Sequence, residues 1–242
     1  MLFFLMESPA DFQTDAGPGL GRTDPTLFPS LGRLIRGLSA VFWGLPLVLV
    51  TAVQSAKAEP ARGVHLWTSV AGFALVLYGI QQIGSFHPRE RIWQWAVDRA
   101  RIAALIDLGL SPFVYWWSRH PSEVTFQVGI DLLVISFLIF LIELSPLLDR
   151  LVAMLPDEAL RQETRFFTRV SRFLLSPVLA ITLFYFTLLR VEPSFPFITP
   201  WLSFMAESGF WLVLFLVLVP IATLMALIWK IKELIFHSVF GR

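Results

Sequence analysis

Residues 123–150 read EVTFQVGIDLLVISFLIFLIELSPLLDR. Between Asp131 and Glu143 every residue except Ser136 is apolar, and an apolar run of this length is what a membrane-crossing helix needs. We place a span at 123–147. Working outward, five more follow at 38–55, 65–86, 102–118, 173–190 and 207–229. The segment 102–118 is short and carries Asp107 and Pro112.

The basic residues support this division. Lys and Arg number 3 before residue 38, 2 in 55–64, 4 in 87–101, 1 in 118–122, 5 in 149–172, 1 in 190–206 and 3 after 229. Basic-rich and basic-poor segments therefore alternate, 15 against 4. Loops that stay in the cytoplasm keep Lys and Arg, and translocated loops lose them. The expected architecture is an all-α polytopic membrane protein of six spans with both termini in the cytoplasm. Tryptophan gives a second criterion that shares no residue with the first. Trp67, Trp116, Trp117, Trp201 and Trp211 fall near outer boundaries, and Trp43, Trp93, Trp95 and Trp229 near inner ones. Indole favours the headgroup level, where its N–H finds a partner and its ring stays apolar.

Composition agrees. Hydrophobic residues make up 56% of the 242 and charged residues 15%, against about 25% charged in a soluble domain; the mean hydropathy is +0.69. The net charge of +1 carries no indication of nucleic acid. The chain has no cysteine, which removes disulfides, thiolate metal sites and cysteine nucleophiles together. The apolar opening Met1–Met6 has no basic flank and is too short for a signal peptide. Residues 1–30, with Gly17-Pro18-Gly19, Asp24-Pro25 and Pro29, are expected to form an irregular cytoplasmic tail before a single helical membrane domain over 31–242.

Two segments read as amphipathic helices lying in the inner interface, 88–101 and 157–172. In the first, Arg91, Gln94, Asp98 and Arg101 share one face, while Trp93, Ala96, Val97 and Ala100 form another. The second carries Arg161, Arg165, Arg169 and Arg172. Like charges stacked along a helix cost about a few tenths of a kcal/mol each unless something anionic meets them. Anionic lipid headgroups are the expected partner, and a phosphate ligand or acidic protein the alternative. Leu-Ser-Pro recurs at 110–112, 144–146 and 175–177. It is either the trace of a duplicated hairpin or a recurrent helix-start and kink pair.

Ionisable groups inside spans are the default functional candidates. Asp107 and Glu143 lie roughly 8 Å and 6 Å from the inner boundary at the helical rise. Both can snorkel, approach each other, or pair with Arg101 and Arg150. Asp131 lies about 12 Å below the outer boundary, where an ionised carboxylate costs on the order of 3 kcal/mol. It is expected to be a neutral interhelical hydrogen-bonding group or a proton- or cation-coupling site, with Tyr185, Thr182, Thr51 and Gln127 as candidate partners. Pro46, Pro112, Pro177 and Pro220 fall inside spans, and Pro220 in mid-span frees the Leu216 carbonyl, with Thr223 nearby to satisfy the backbone.

No span holds two histidines, which argues against bis-histidine haem. HExxH, Gly-x-Ser-x-Gly and a Gly-x-x-x-x-Gly-Lys phosphate loop are all missing. No cofactor, metal or catalytic residue is expected. The Pro- and Phe-rich stretch 191–208 is expected to cover the outer end of the bundle, and no Gly-x-x-x-Gly marks a helix-pairing face.

Three classes of function fit. The first is an accessory, scaffold or assembly subunit of a larger membrane complex, bound to other membrane subunits. The second is a small transporter or channel component that couples through Asp131. The third is a lipid-active membrane enzyme resting on Asp107, Glu143 and the inner arginines.

Overall fold

The computed structural model describes residues 27–56, 64–86, 90–154, 158–190 and 210–240. Its helices are α1 (Leu27–Ala56), α2 (Val64–Gly84), α3 (Arg91–Leu110), α4 (Pro112–Arg119), α5 (Val124–Ala153), α6 (Glu158–Arg190) and α7 (Phe210–Phe240). No strand occurs among the described residues. Among the described residues, four stretches are long and apolar enough to cross a membrane: Pro29–Thr51, Val124–Ala153, Leu160–Leu188 and Phe215–Phe236. The chain is therefore all-α and built on helices of membrane length. The 191–208 stretch and most of the proposed tail lie outside the described residues; residues 27–30 of that tail are already helix.

The helices do not end where charge suggested. Residues 91–101 of the proposed interfacial segment 88–101 run unbroken into 102–110 as α3, and 158–172 of the segment 157–172 run into 173–190 as α6. Neither junction contains a helix breaker: Ala100-Arg101-Ile102-Ala103 and Arg172-Phe173-Leu174 are good or neutral helix formers. The interruption falls at Ser111, where Pro112 supplies no N–H. Pro46, Pro146, Pro177 and Pro220 lie within continuous helices.

Neighbours in sequence are neighbours in space. α1 packs on α2, α2 on α3, α3 on α5, α5 on α6, α6 on α7, and α7 returns to α1. α4 continues the α3 position against α2 and α5. The tightest seam joins α1 and α2 through glycines seven residues apart, Gly37 and Gly44 against Gly72 and Gly79. A Cβ on Gly37 would lie 2.8 Å from the Gly79 carbonyl oxygen, and one on Gly79 would lie 2.7 Å from the Gly37 oxygen. Only glycine lets these backbones touch.

Leu34, Leu38, Val41, Ile80, Ile83, Trp93, Phe140, Leu144, Leu148, Ile228 and Ile231 belong to one buried cluster shared by the helices. The outer surface is apolar as well, with Trp43, Trp67, Phe173, Phe184 and Phe215 all more than half exposed. A protein in water rarely leaves so much contiguous apolar surface uncovered.

Candidate site at the α3–α4 interruption

α3 turns a narrow stripe inward: Trp93, Ala96, Val97, Ala100, Ala103, Ala104 and Asp107 are its buried residues. The spacing follows the 3.6-residue period, and the four alanines let α5 come close. Asp107 continues this stripe, and position on the stripe is what buries it. The residue is 1% exposed, and no basic side chain stands against its carboxyl group. The polar group it faces is the Ser136 hydroxyl on α5.

One turn further, the helix is interrupted. Pro112 cannot bond the Leu108 carbonyl, so Ser111 takes over: its N–H donates at 3.3 Å and its hydroxyl at 2.8 Å. The Ser111 carbonyl in turn accepts from the buried Ser69 hydroxyl of α2 at 3.3 Å. Asp107, Ser111, Ser69 and Ser136 are all buried. They form a buried polar patch at an irregular backbone.

Beside the patch a groove of about 520 Å³ runs between α3 and α5. Aliphatic side chains line most of it, Ser136 is part of its wall, and Arg99 and Glu143 close one end. Arg99 and Glu143 form an ion pair, and the Arg99 guanidinium lies 4.5 Å from the Trp95 ring centroid. Glu143 thus meets Arg99, a pairing the sequence did not suggest, since Arg101 and Arg150 were the expected partners. A second ion pair joins Lys230 of α7 to Glu163 of α6.

The other candidates are placed as follows. Asp131 is half-buried on α5 and already engaged in an interaction of its own. Of its suggested partners, Thr51 donates its hydroxyl to Leu47 within α1 at 2.7 Å, Gln127 is exposed, and Tyr185 is half-buried with its ring 5.9 Å from that of Phe186. Thr182 is buried on α6. Pro220 is buried in α7, where Thr223 donates to the Pro220 carbonyl at 2.8 Å. Thr223 also shares a 3.1 Å hydrogen bond with Ser171 of α6.

The four arginines in the first half of α6 divide. Arg161 reaches back to the Ala153 carbonyl at 3.2 Å, closing the end of α5. Arg165, Arg169 and Arg172 are exposed, alternating with exposed Phe166 and Phe173. The Leu-Ser-Pro recurrences share a serine hydroxyl turned back onto a carbonyl of the preceding turn, from Ser111, Ser145 and Ser176. Only the first interrupts a helix.

Ser69 and Ser136 were not singled out from sequence, and Ser111 entered only as part of the Leu-Ser-Pro recurrence. For Ser111 a signal existed, because it precedes a proline; a lone serine in a span carries none. Among the described residues no three His, Asp or Glu side chains gather as a metal would require. No family model, no curated protein and no solved structure matches this chain.

Proposed function

We propose that this chain is a small integral membrane transporter or channel component, and that Asp107, rather than Asp131, is its proton- or cation-coupling group. One observation carries the reading: a buried carboxyl group that faces the Ser136 hydroxyl and no basic side chain, set beside an interrupted helix. Ionisable residues inside spans are costly and are kept for transport or relay. Broken helices at mid-depth supply the polar backbone such sites use.

The proposal includes the topology. α1, α2, the α3–α4 pair, α5, α6 and α7 make six crossings, with both termini cytoplasmic. The contacts fit antiparallel succession, since Arg99 in the first half of α3 meets Glu143 in the second half of α5. Likewise Glu163 at the start of α6 meets Lys230 late in α7, and Phe42 meets the Trp229 ring at 6.0 Å. These pairs gather the basic-rich segments at one end, and the positive-inside rule assigns that end to the cytoplasm.

The test is flux into liposomes. Asp107→Asn is expected to abolish proton- or cation-coupled transport while the protein still folds, and Asp131→Asn to leave it intact. Wild-type flux from Asp107→Asn would end the coupling role. The accessory-subunit reading has its own support in the exposed Arg165, Phe166, Arg169, Arg172 and Phe173 of α6. This face suits anionic headgroups or a neighbouring membrane subunit. Gentle extraction followed by mass spectrometry tests it, and a stoichiometric partner would favour it over transport.

A further inference from the structure

We infer that the α3–α5 groove is a binding site for one phospholipid with a zwitterionic, hydrogen-bond-donating headgroup of the phosphatidylethanolamine type. The inference rests on the membrane reading and is independent of any role for Asp107.

The dimensions fit a single leaflet. From Arg99 to Leu110 the groove follows α3 over twelve residues, roughly 16 Å at the helical rise. That is close to half of a hydrocarbon core about 30 Å thick. One end is charged and the remainder is aliphatic, the polarity of a lipid from headgroup to chain end. Ile102, Ile106, Leu132 and Ile139 line the groove and remain 40–59% exposed. An acyl chain laid against them would bury them.

Charge selects the headgroup. The end of the groove is an ion pair, so its net charge is zero, and an anionic lipid would leave one negative charge in excess. The bond between them joins Nη2 of Arg99 to Oε1 of Glu143. The Arg99 side chain is 45% exposed and that of Glu143 14%, so the guanidinium offers its free N–H groups outward to a phosphate. Oε2 of Glu143 remains as acceptor for an ammonium group. Ethanolamine can donate to it; choline, with no N–H, cannot. The exposed Trp95 ring beside Arg99 suits the headgroup level.

The experiment is native mass spectrometry of the full chain released from detergent micelles with phosphatidylethanolamine, phosphatidylcholine and phosphatidylglycerol in competition. Phosphatidylethanolamine is expected to be retained about tenfold better than the other two, the worth of one charge-assisted hydrogen bond. Glu143→Gln should remove that preference, and Ile139→Trp, which fills the groove, should weaken all three lipids. Equal retention of the three by the wild-type chain would overturn the inference, and that measurement does not depend on any variant folding. Undiminished binding by Ile139→Trp would overturn it too. A photoreactive side chain at position 139 should give a phospholipid adduct; an adduct with a second polypeptide would show that the groove is a protein interface instead.

Discussion

Alanine at Gly37 adds one methyl group where the α1 and α2 backbones meet. Its Cβ would lie 2.8 Å from the Gly79 carbonyl oxygen, 2.9 Å from Cγ1 of Ile83 and 3.0 Å from Cβ of Gln82. A flexible side chain can move aside, but a main-chain oxygen held in its own helix cannot. The seam must open by several tenths of an ångström, and overpacking of this kind costs about 1–3 kcal/mol. Alanine also improves helix propensity by up to about 1 kcal/mol over glycine, which works in the opposite direction. Gly32, on the same helix, has nothing within 4 Å of its built Cβ. Gly32→Ala therefore gains the propensity term without the steric one, and the difference between the two variants isolates the seam. We expect Gly37→Ala to be less stable than Gly32→Ala by about 1–3 kcal/mol. The assay is denaturant unfolding in mild detergent, followed by tryptophan fluorescence and far-ultraviolet circular dichroism. Equal stabilities, or a more stable Gly37→Ala, would refute the close-contact reasoning.

Two further predictions concern the bundle. Thr223→Val removes the hydroxyl that bonds both Ser171 and the Pro220 carbonyl. It should cost about 0.6–1.7 kcal/mol, the range of interhelical hydrogen bonds in membranes, with Thr223→Ser recovering most of the loss; an unchanged unfolding midpoint would contradict this. For the topology, the cysteine-free chain allows single-cysteine labelling. Cysteine at exposed Ser122 should react from outside and at exposed Gln162 from inside, and reversed labelling would invert the orientation.

The helical class and the apolar spans were legible because hydrophobic length and charge placement are one-dimensional properties. Helix ends were not, because a change from polar to apolar sequence does not stop a helix, and of Pro46, Pro112, Pro146, Pro177 and Pro220 only Pro112 stands at an interruption. That division hid which way Asp107, already a candidate, faces. Trp93, Ala96, Val97 and Ala100 were recognised as one face, and carrying the same period onward reaches Ala103, Ala104 and Asp107. Dividing the segment between 101 and 102 cut the stripe before it arrived. Depth along the span favoured Asp131 instead, yet depth says nothing about which way a side chain faces. The α1–α2 seam was missed for a related reason: the pairing glycines recur every seven residues rather than every four.

The order of the helices around the bundle has a consequence for biosynthesis. α3 carries Arg91, Asp98, Arg99, Arg101 and Asp107, and the cover for its inner stripe comes from α5. At about 5–20 residues per second, the ribosome needs roughly 2–9 s to extend from Leu110 to Ala153, with the chain growing N-terminus first. During that interval Asp107 has α2 beside it but no Ser136 and no α5 to shield it. The insertion machinery must hold an unfinished pair of helices with a carboxyl group on the open side. The last helix then closes the circle against the first.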